Sequence, residues 1–520
     1  MRSTYRLSRF FLAVLLLPVL CGAQNAEQRT ARYLDSIRKQ PQLLQAFLRE
    51  MPKGGDLHNH LDGAIYAEDL INFAADGGLC FDRTSSHLLA PPCDNSCANY
   101  NAKPAARCAY GDQVLYNQMI DAWSLRNLNE ANESGHDHFF ASFDKFGLAS
   151  HTHVAEAIAT STDRAGADHL QYVEYMHTAD GGAAAELAAK IDWNSDFAKM
   201  REALLAAGLK NVADDANKKL AADDARAHEI MKCGTPEAEA GCAVTIRYLY
   251  QVLRGLPRQI VFTQMVLGFE MAMSNPKVVG LNLVMAEDWY VPMHDFSEHM
   301  AMLDYLHGVY PQVHITLHAG ELALGLVPPE DLTFHIRESI ARGHAERIGH
   351  GVDVMNEKNP IALLHEMADK NILVEICLSS NDLLLGVSGD EHPLPIYMKY
   401  GVPVALATDD EGVNRSDLTN EFLRAVESYR LSYSELKRMA RQSLEHSFLP
   451  GQSLWADTRL VFRVTGECAG NALGAEQPSA ACSSFLAANE RAREQWKLES
   501  ELVKFENTDF ERASALAPHK

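Results

Sequence analysis

The stretch Asp56-Leu57-His58-Asn59-His60-Leu61-Asp62-Gly63 begins inside a short run, residues 53–57, that reads as a β-strand. Side chains at i and i+2 of a strand point to the same side. His58 and His60 therefore offer two imidazoles to one metal ion from a stiff piece of backbone. Two ligands do not make a site. The other ligands must come from elsewhere in the chain, and the ends of further strands are where a rigid scaffold would hold them.

Seven more short runs fit that requirement: residues 170–176, 259–266, 277–285, 313–317, 347–349, 372–378 and 403–407. They alternate with longer helical patterns, which implies βαβ units and a parallel sheet. Eight such units fit an α/β fold of the closed (β/α)8 TIM barrel type better than an open sheet. Residues 24–50 read as an N-terminal helical extension, split near Pro41 because proline breaks a helix interior. The barrel is expected over 51–450, with a cysteine-bearing insertion at about 79–112 and a C-terminal helical extension over 451–520. The Ala-rich stretch 183–228 reads as a long crossover of two helices.

In a barrel of this kind the C-terminal strand ends carry the active site. Here the first strand ends at His58 and His60, the fifth at His318-Ala319-Gly320-Glu321, the sixth at His350-Gly351 and the eighth at Thr408-Asp409-Asp410-Glu411. One polar residue after an apolar run is ordinarily a solvated loop residue. Four strand ends of this kind together point to a metal site. His58, His60, His318 and Asp409 form the economical ligand set, and three imidazoles with one carboxylate suit one Zn2+ per chain. Zinc lowers the pKa of a bound water to about 7. Glu321, three residues past His318, is placed to protonate a substrate atom. His350 can orient the water or take its proton, and Asp410 can bind a substrate N–H or protonated ring nitrogen.

These motifs resemble those of the adenosine deaminase family. The matching pieces are Met51-Pro52-Lys53-Gly54, then Leu57-His58-Asn59-His60-Leu61-Asp62-Gly63-Ala64, Leu317-His318-Ala319-Gly320-Glu321, Arg347-Ile348-Gly349-His350-Gly351, Leu378-Ser379-Ser380-Asn381 and Ala407-Thr408-Asp409-Asp410-Glu411. They stand in family order across residues 51–413. The Pro-Lys-Gly lead-in, the leader and the cysteine insertions favour the secreted branch called adenosine deaminase-related growth factors. The resemblance implies the same zinc ligands, with Glu321 as proton donor to purine N1 and His350 positioning and deprotonating the water. It also implies Asp409 in the catalytic set, Asp410 at N7 and Asp62 at the ribose 5′-hydroxyl.

The implied activity is hydrolytic deamination of adenosine and 2′-deoxyadenosine to inosine products and ammonia. One departure bears on the substrate: the fourth strand has Asn282 and Met285 where the family has Asp and Gly. The glycine's N–H approaches purine N3, and a glycine-only conformation would disfavour methionine. Adenine or a modified aminopurine is therefore the alternative substrate. A purine-binding or signalling protein with secondary catalysis is the reading from another class. No phosphate clamp stands near the motifs, which argues against a nucleotide.

Other features read as structural. Phe139, Phe143 and Phe146 fall at helical spacing, as a core stripe does, and a lid over a flat substrate would show the same pattern. Trp289 reads as loop packing, or as a ring to stack on substrate. His151-Thr152-His153 repeats the His-x-His spacing in a helical context, where i and i+2 diverge. Pro92-Cys93-x-x-x-Cys97 is one residue too long for the Pro-Cys-x-x-Cys of other zinc deaminases.

The N-terminus reads as an export signal. Arg2, Arg6 and Arg9 precede an apolar segment, residues 10–20, too short to span a bilayer. Cleavage after Ala23 removes three arginines and no acid, moving the formal charge from −22 to −25. Cys21 also raises lipidation, which Leu20 at a small-residue position argues against. Paired cysteines fit an oxidising compartment, periplasmic or extracellular: Cys233 with Cys242, Cys468 with Cys482, and three possible pairings among Cys80, Cys93, Cys97 and Cys108. Cys377, inside an apolar run, reads as a buried thiol. The acidic charge disfavours nucleic acid and anionic membrane. The expected partner is a small purine nucleoside, with no integral membrane span and a homodimer as the assembly to test.

Overall fold

A computed structural model describes residues 26–97, 102–129, 131–459, 461–508 and 510. The leader expected over residues 1–23, with Cys21, lies outside them. Eight parallel strands follow one another in chain order: β1 (Gly54–His60), β2 (Leu170–His177), β3 (Thr245–Leu253), β4 (Val278–Val284), β5 (His314–Ala319), β6 (Arg347–His350), β7 (Leu373–Ile376) and β8 (Val404–Leu406). The ring closes through one bridge between Asn59 and Asp409. There the Asp409 N–H donates to His58 O and the His60 N–H to Asp409 O, each at 2.9 Å. The fold is a TIM barrel.

Its interior is filled in two tiers. Met176, Leu249, Val279 and Val284 pack on Phe448 inside the strands. Below them Leu57, Tyr172, Leu373 and Ala405 meet Ala440 and Leu444 of helix Tyr433–Glu445 and Leu498 and Leu502 of helix Glu490–Glu506. Those C-terminal helices plug one end of the barrel. The catalytic candidates stand at the other.

One strand differs from the sequence reading. Residues 259–266 belong to helix Arg258–Ser274, and the third strand is Thr245–Leu253. The helix is buried almost all round, and over eight residues such a segment shows no periodicity that separates it from a buried strand. The true strand is broken by Arg247 and Gln251, which have polar tasks: Arg247 reaches Glu490 at 2.7 Å and Gln251 meets His60. The long crossover carries three helices, Ala183–Ala188, Phe197–Ala206 and Leu209–Ile230, where two were expected.

The N-terminal helical run breaks at Pro41 as expected, and Pro41 opens helix Pro41–Glu50. Four disulfides form, Cys80–Cys93, Cys97–Cys108, Cys233–Cys242 and Cys468–Cys482, while Cys377 is a buried free thiol. No described helix is long and apolar enough to cross a membrane.

Candidate metal centre and active site

His58, His60, His318 and Asp409 converge at the strand ends. Each imidazole is oriented through its Nδ1. That of His58 lies 2.6 Å from Glu375 Oε2, that of His60 3.0 Å from Gln251 Oε1, and that of His318 2.9 Å from Asn282 Oδ1. All three partners are acceptors, so each Nδ1 carries the proton and each Nε2 turns a lone pair inward. His318 Nε2 stands 3.1 Å from His58 Nε2 and 3.2 Å from His60 Nε2. Asp409 Oδ1 stands 3.4 and 3.3 Å from the same two nitrogens.

Lone pairs facing one another at such distances call for a cation. These four separations are short enough for the donors to share one ion at about 2.0–2.1 Å, the length of zinc–nitrogen bonds. The donor set therefore fits the metal that the motifs imply. Asn282, where the resemblance expects Asp, orients His318 through its amide oxygen, which also accepts the His318 backbone N–H at 3.1 Å.

A further layer of buried charge holds these partners. Glu375 accepts from Arg347 Nε at 2.6 Å and from Thr316 Oγ1 at 3.0 Å. Arg347 also donates to Glu174 at 2.5 Å, and its guanidinium lies 3.8 Å from the centre of the Phe448 ring. Arg254 ties the ends of two strands together, donating to Met285 O at 3.0 Å and His318 O at 3.1 Å. Glu287 pins the loop after β5 by accepting from Gly320 N at 3.1 Å and Glu321 N at 2.8 Å.

Glu321 and His350 face each other, with Oε1 and Nε2 3.7 Å apart. Burial, with the negative charges of Asp409 and Glu287 adding, pushes the Glu321 carboxyl up to about 8. Burial drives the His350 imidazolium down to about 3, so its ring is neutral. A chain of hydrogen bonds sets its tautomer. Leu394 N–H donates to His392 Nδ1 at 3.1 Å, which leaves His392 Nε2–H to donate to Asn381 Oδ1 at 3.1 Å. The Asn381 amide then donates to His350 Nδ1 at 3.0 Å. The His350 proton is thus on Nε2, a buried atom with no described partner.

Asp410 is also buried, and its Oδ1 has no described partner. Burial, and then the charge of Asp409, hold this carboxyl well above the usual range. A Cβ on Gly63 would stand 1.6 Å from that Oδ1, so only glycine leaves room for it there.

His60, His318, Glu321, Asp409 and Asp410 line a cavity of about 690 Å³. Phe139, Phe143 and Phe146 form part of its wall, so the phenylalanine stripe packs the helix and faces the cavity at once. Trp289 lines it too, 5.7 Å from Phe140 between ring centroids. Asp62 lies in the wall beside His151, 3.6 Å from His151 Nε2. His153 instead stacks on Phe73.

Met285 adopts a positive φ of +83°, the conformation that favours glycine. Its side chain finds room over Gly255, where an added Cβ would lie 3.0 Å from Met285 Cε. Sequence reasoning missed Glu375, Gln251, His177 and Lys219. The first two sit inside strands and the last two in or before the long crossover. No local pattern marks any of them.

Comparison with known proteins agrees. Residues 215–456 match the family model described as adenosine deaminase, a span that includes His318, Glu321, His350, Asp409 and Asp410. An adenosine deaminase of Mycobacterium sp. (strain KMS) is 29% identical over 222 residues, 41% of this chain and 56% of that protein. An adenosine deaminase of Escherichia coli (strain SMS-3-5 / SECEC) is 35% identical over 140 residues, 27% of this chain and 39% of the relative. The matches thus span about half or less of these curated relatives. The apo structure of the N6-methyl-AMP deaminase from Arabidopsis thaliana shares the fold, with a TM-score of 0.50 and 20% identity over 78% of this chain and 94% of that one. Over residues 215–456 the chain matches the adenosine deaminase family, and the barrel brings His58 and His60, which lie before that segment, to the same centre as the matched His318 and Asp409.

Proposed function

We propose that this protein is a zinc-dependent aminohydrolase that converts adenosine, and 2′-deoxyadenosine, to inosine products and ammonia outside the cytoplasm. The observation that carries the reading is the joint geometry. Three of the four donors, His60, His318 and Asp409, line one cavity with a protonated carboxyl at Glu321 and with Asp410, and the buried His350 Nε2 lies 3.7 Å from Glu321. A zinc ion held by His58, His60, His318 and Asp409 would lower the pKa of a bound water to about 7.

The chain's own groups then do the rest. Glu321 donates its proton to purine N1 as the water adds to C6. His350, by its tautomer, holds that water with an N–H, which suits positioning better than deprotonation. Asp410 donates to N7 and Asp62 accepts the ribose 5′-hydroxyl. Protons balance when one from the water ends on N1, by way of Glu321, and the other leaves with the ammonia. The four disulfides support a setting outside the cytoplasm.

A second reading keeps the chemistry and changes the substrate to adenine or another aminopurine, because Met285 stands on the purine wall. The loss of adenosine absorbance on adding purified, zinc-loaded mature protein tests the first reading. Ammonia release from a purine panel, with none from adenosine, would favour the second.

A further inference from the structure

The cavity does not end at the metal donors. Near Asp62 its wall is made by Ser150, His151, His177, Ala185 and Lys219. Most of the charge in this compartment is already matched. Lys219 pairs with Asp223 at 3.1 Å, and His151 stands 3.6 Å from Asp62.

His177 is different. It ends β2, is 6% exposed, and its Nδ1 has no partner among the described residues. Its Nδ1 is sealed from solvent without a partner, which leaves Nε2 as the ring's open edge on the cavity. Burial holds the imidazolium below its usual range, and the charges it feels most are those of Asp62, Lys219, His151 and Asp223. The edge a cavity ligand can reach is Nε2, which in a neutral imidazole is a donor or an acceptor according to the tautomer. A ligand hydroxyl, which both donates and accepts, meets either tautomer. A phosphate would need uncompensated cations, and here Lys219 and His151 already face carboxylates.

We infer that His177 hydrogen-bonds a ribose hydroxyl beside the contact proposed for Asp62 and so helps select nucleosides over other purines. The inference rests on the functional reading above and adds a specificity-determining residue to it.

The test measures kcat and KM of the wild-type protein, His177→Ala and His177→Asn on adenosine and its 2′-, 3′- and 5′-deoxy analogues. One hydrogen bond corresponds to a loss of about fivefold to tenfold in kcat/KM. His177→Ala should show that loss on adenosine and on two analogues. It should be silent on the analogue that lacks the contacted hydroxyl, as a coupled pair requires. His177→Asn, which keeps a short polar group, should recover part of the loss, and it supplies the comparison alone if the alanine variant does not fold. An equal loss on all four substrates, or none on any, overturns the inference while leaving adenosine deamination intact. So does AMP turned over with a higher kcat/KM than adenosine. If the wild-type protein deaminates none of the four, the functional reading itself falls, and the inference with it.

Discussion

Glu375 holds His58 from behind: its Oε2 lies 2.6 Å from His58 Nδ1, while its Oε1 accepts from Arg347 at 2.6 Å. The carboxylate therefore does two tasks. It fixes the tautomer that turns His58 Nε2 inward, and it partners a guanidinium buried in the middle of the barrel. Removing such a partner typically lowers metal affinity 10–100-fold. Glu375→Gln should show a loss of about that size in a zinc-chelator competition, with the far-ultraviolet circular dichroism unchanged. Unaltered affinity would mean that the metal does not sit on His58.

Glu321→Gln should keep the bound metal and lose about 10²–10⁴-fold in kcat, the usual range for removing a general acid. Zinc content by elemental analysis and the adenosine absorbance assay give both readouts on one preparation. A variant that retains the wild-type rate would show that N1 is protonated by another group.

The room that Met285 needs is supplied by Gly255. Gly255→Ala places a methyl 3.0 Å from Met285 Cε and 3.3 Å from Trp289 Cε3, so the methionine must move toward the cavity. The expected result is a several-fold rise in KM for adenosine with a smaller change in kcat. Adding Met285→Gly to the same protein should reverse it, because glycine accepts the positive φ and removes the crowded side chain. A KM left high in the double variant would place the purine elsewhere.

Glu421 is buried and accepts from Ser379 N and Ser416 Oγ, both at 3.0 Å. Burial pushes its carboxyl up to about 7 from the ordinary 4.5. The folded chain thus keeps a proton that the unfolded chain releases between about pH 4.5 and 7. Stability from this group is full below that window and falls as pH rises through it, by on the order of 3 kcal/mol at most. Glu421→Gln should therefore gain stability relative to wild type at pH 8 and not at pH 4.5. Urea unfolding midpoints at the two pH values check the sign, and a gain confined to pH 4.5 would contradict it.

The convergence of His58, His60, His318 and Asp409 was legible because each stands just beyond a strand-like run, and polar residues at several such ends are hard to explain otherwise. The residues that orient them were not legible. Glu375 sits inside a run that reads as strand without marking its task, while Gln251, with Arg247, interrupts an apolar strand, which is how Thr245–Leu253 was passed over. Backbone strain was equally hidden. His350 and Asp409 adopt positive φ values of +68° and +60°, which side-chain type alone does not announce. Residues held in this way cost about 1–3 kcal/mol each and persist only where the surrounding structure imposes them. Met285 was the exception, because the family's glycine flagged the conformation before the structure showed it.

The bridge between Asn59 and Asp409 joins the first strand of the barrel to the segment just after the last. Those same few residues carry His58, His60 and Asp409, so closing the ring and assembling the donor set are one event. During synthesis the two histidines emerge early and wait for a carboxylate some 350 positions later in the chain. A nascent chain released before Asp409 has neither a closed barrel nor a complete centre. Competence to capture the metal thus reports that the last strand has been made and has found the first, an internal proof of completeness written into the fold.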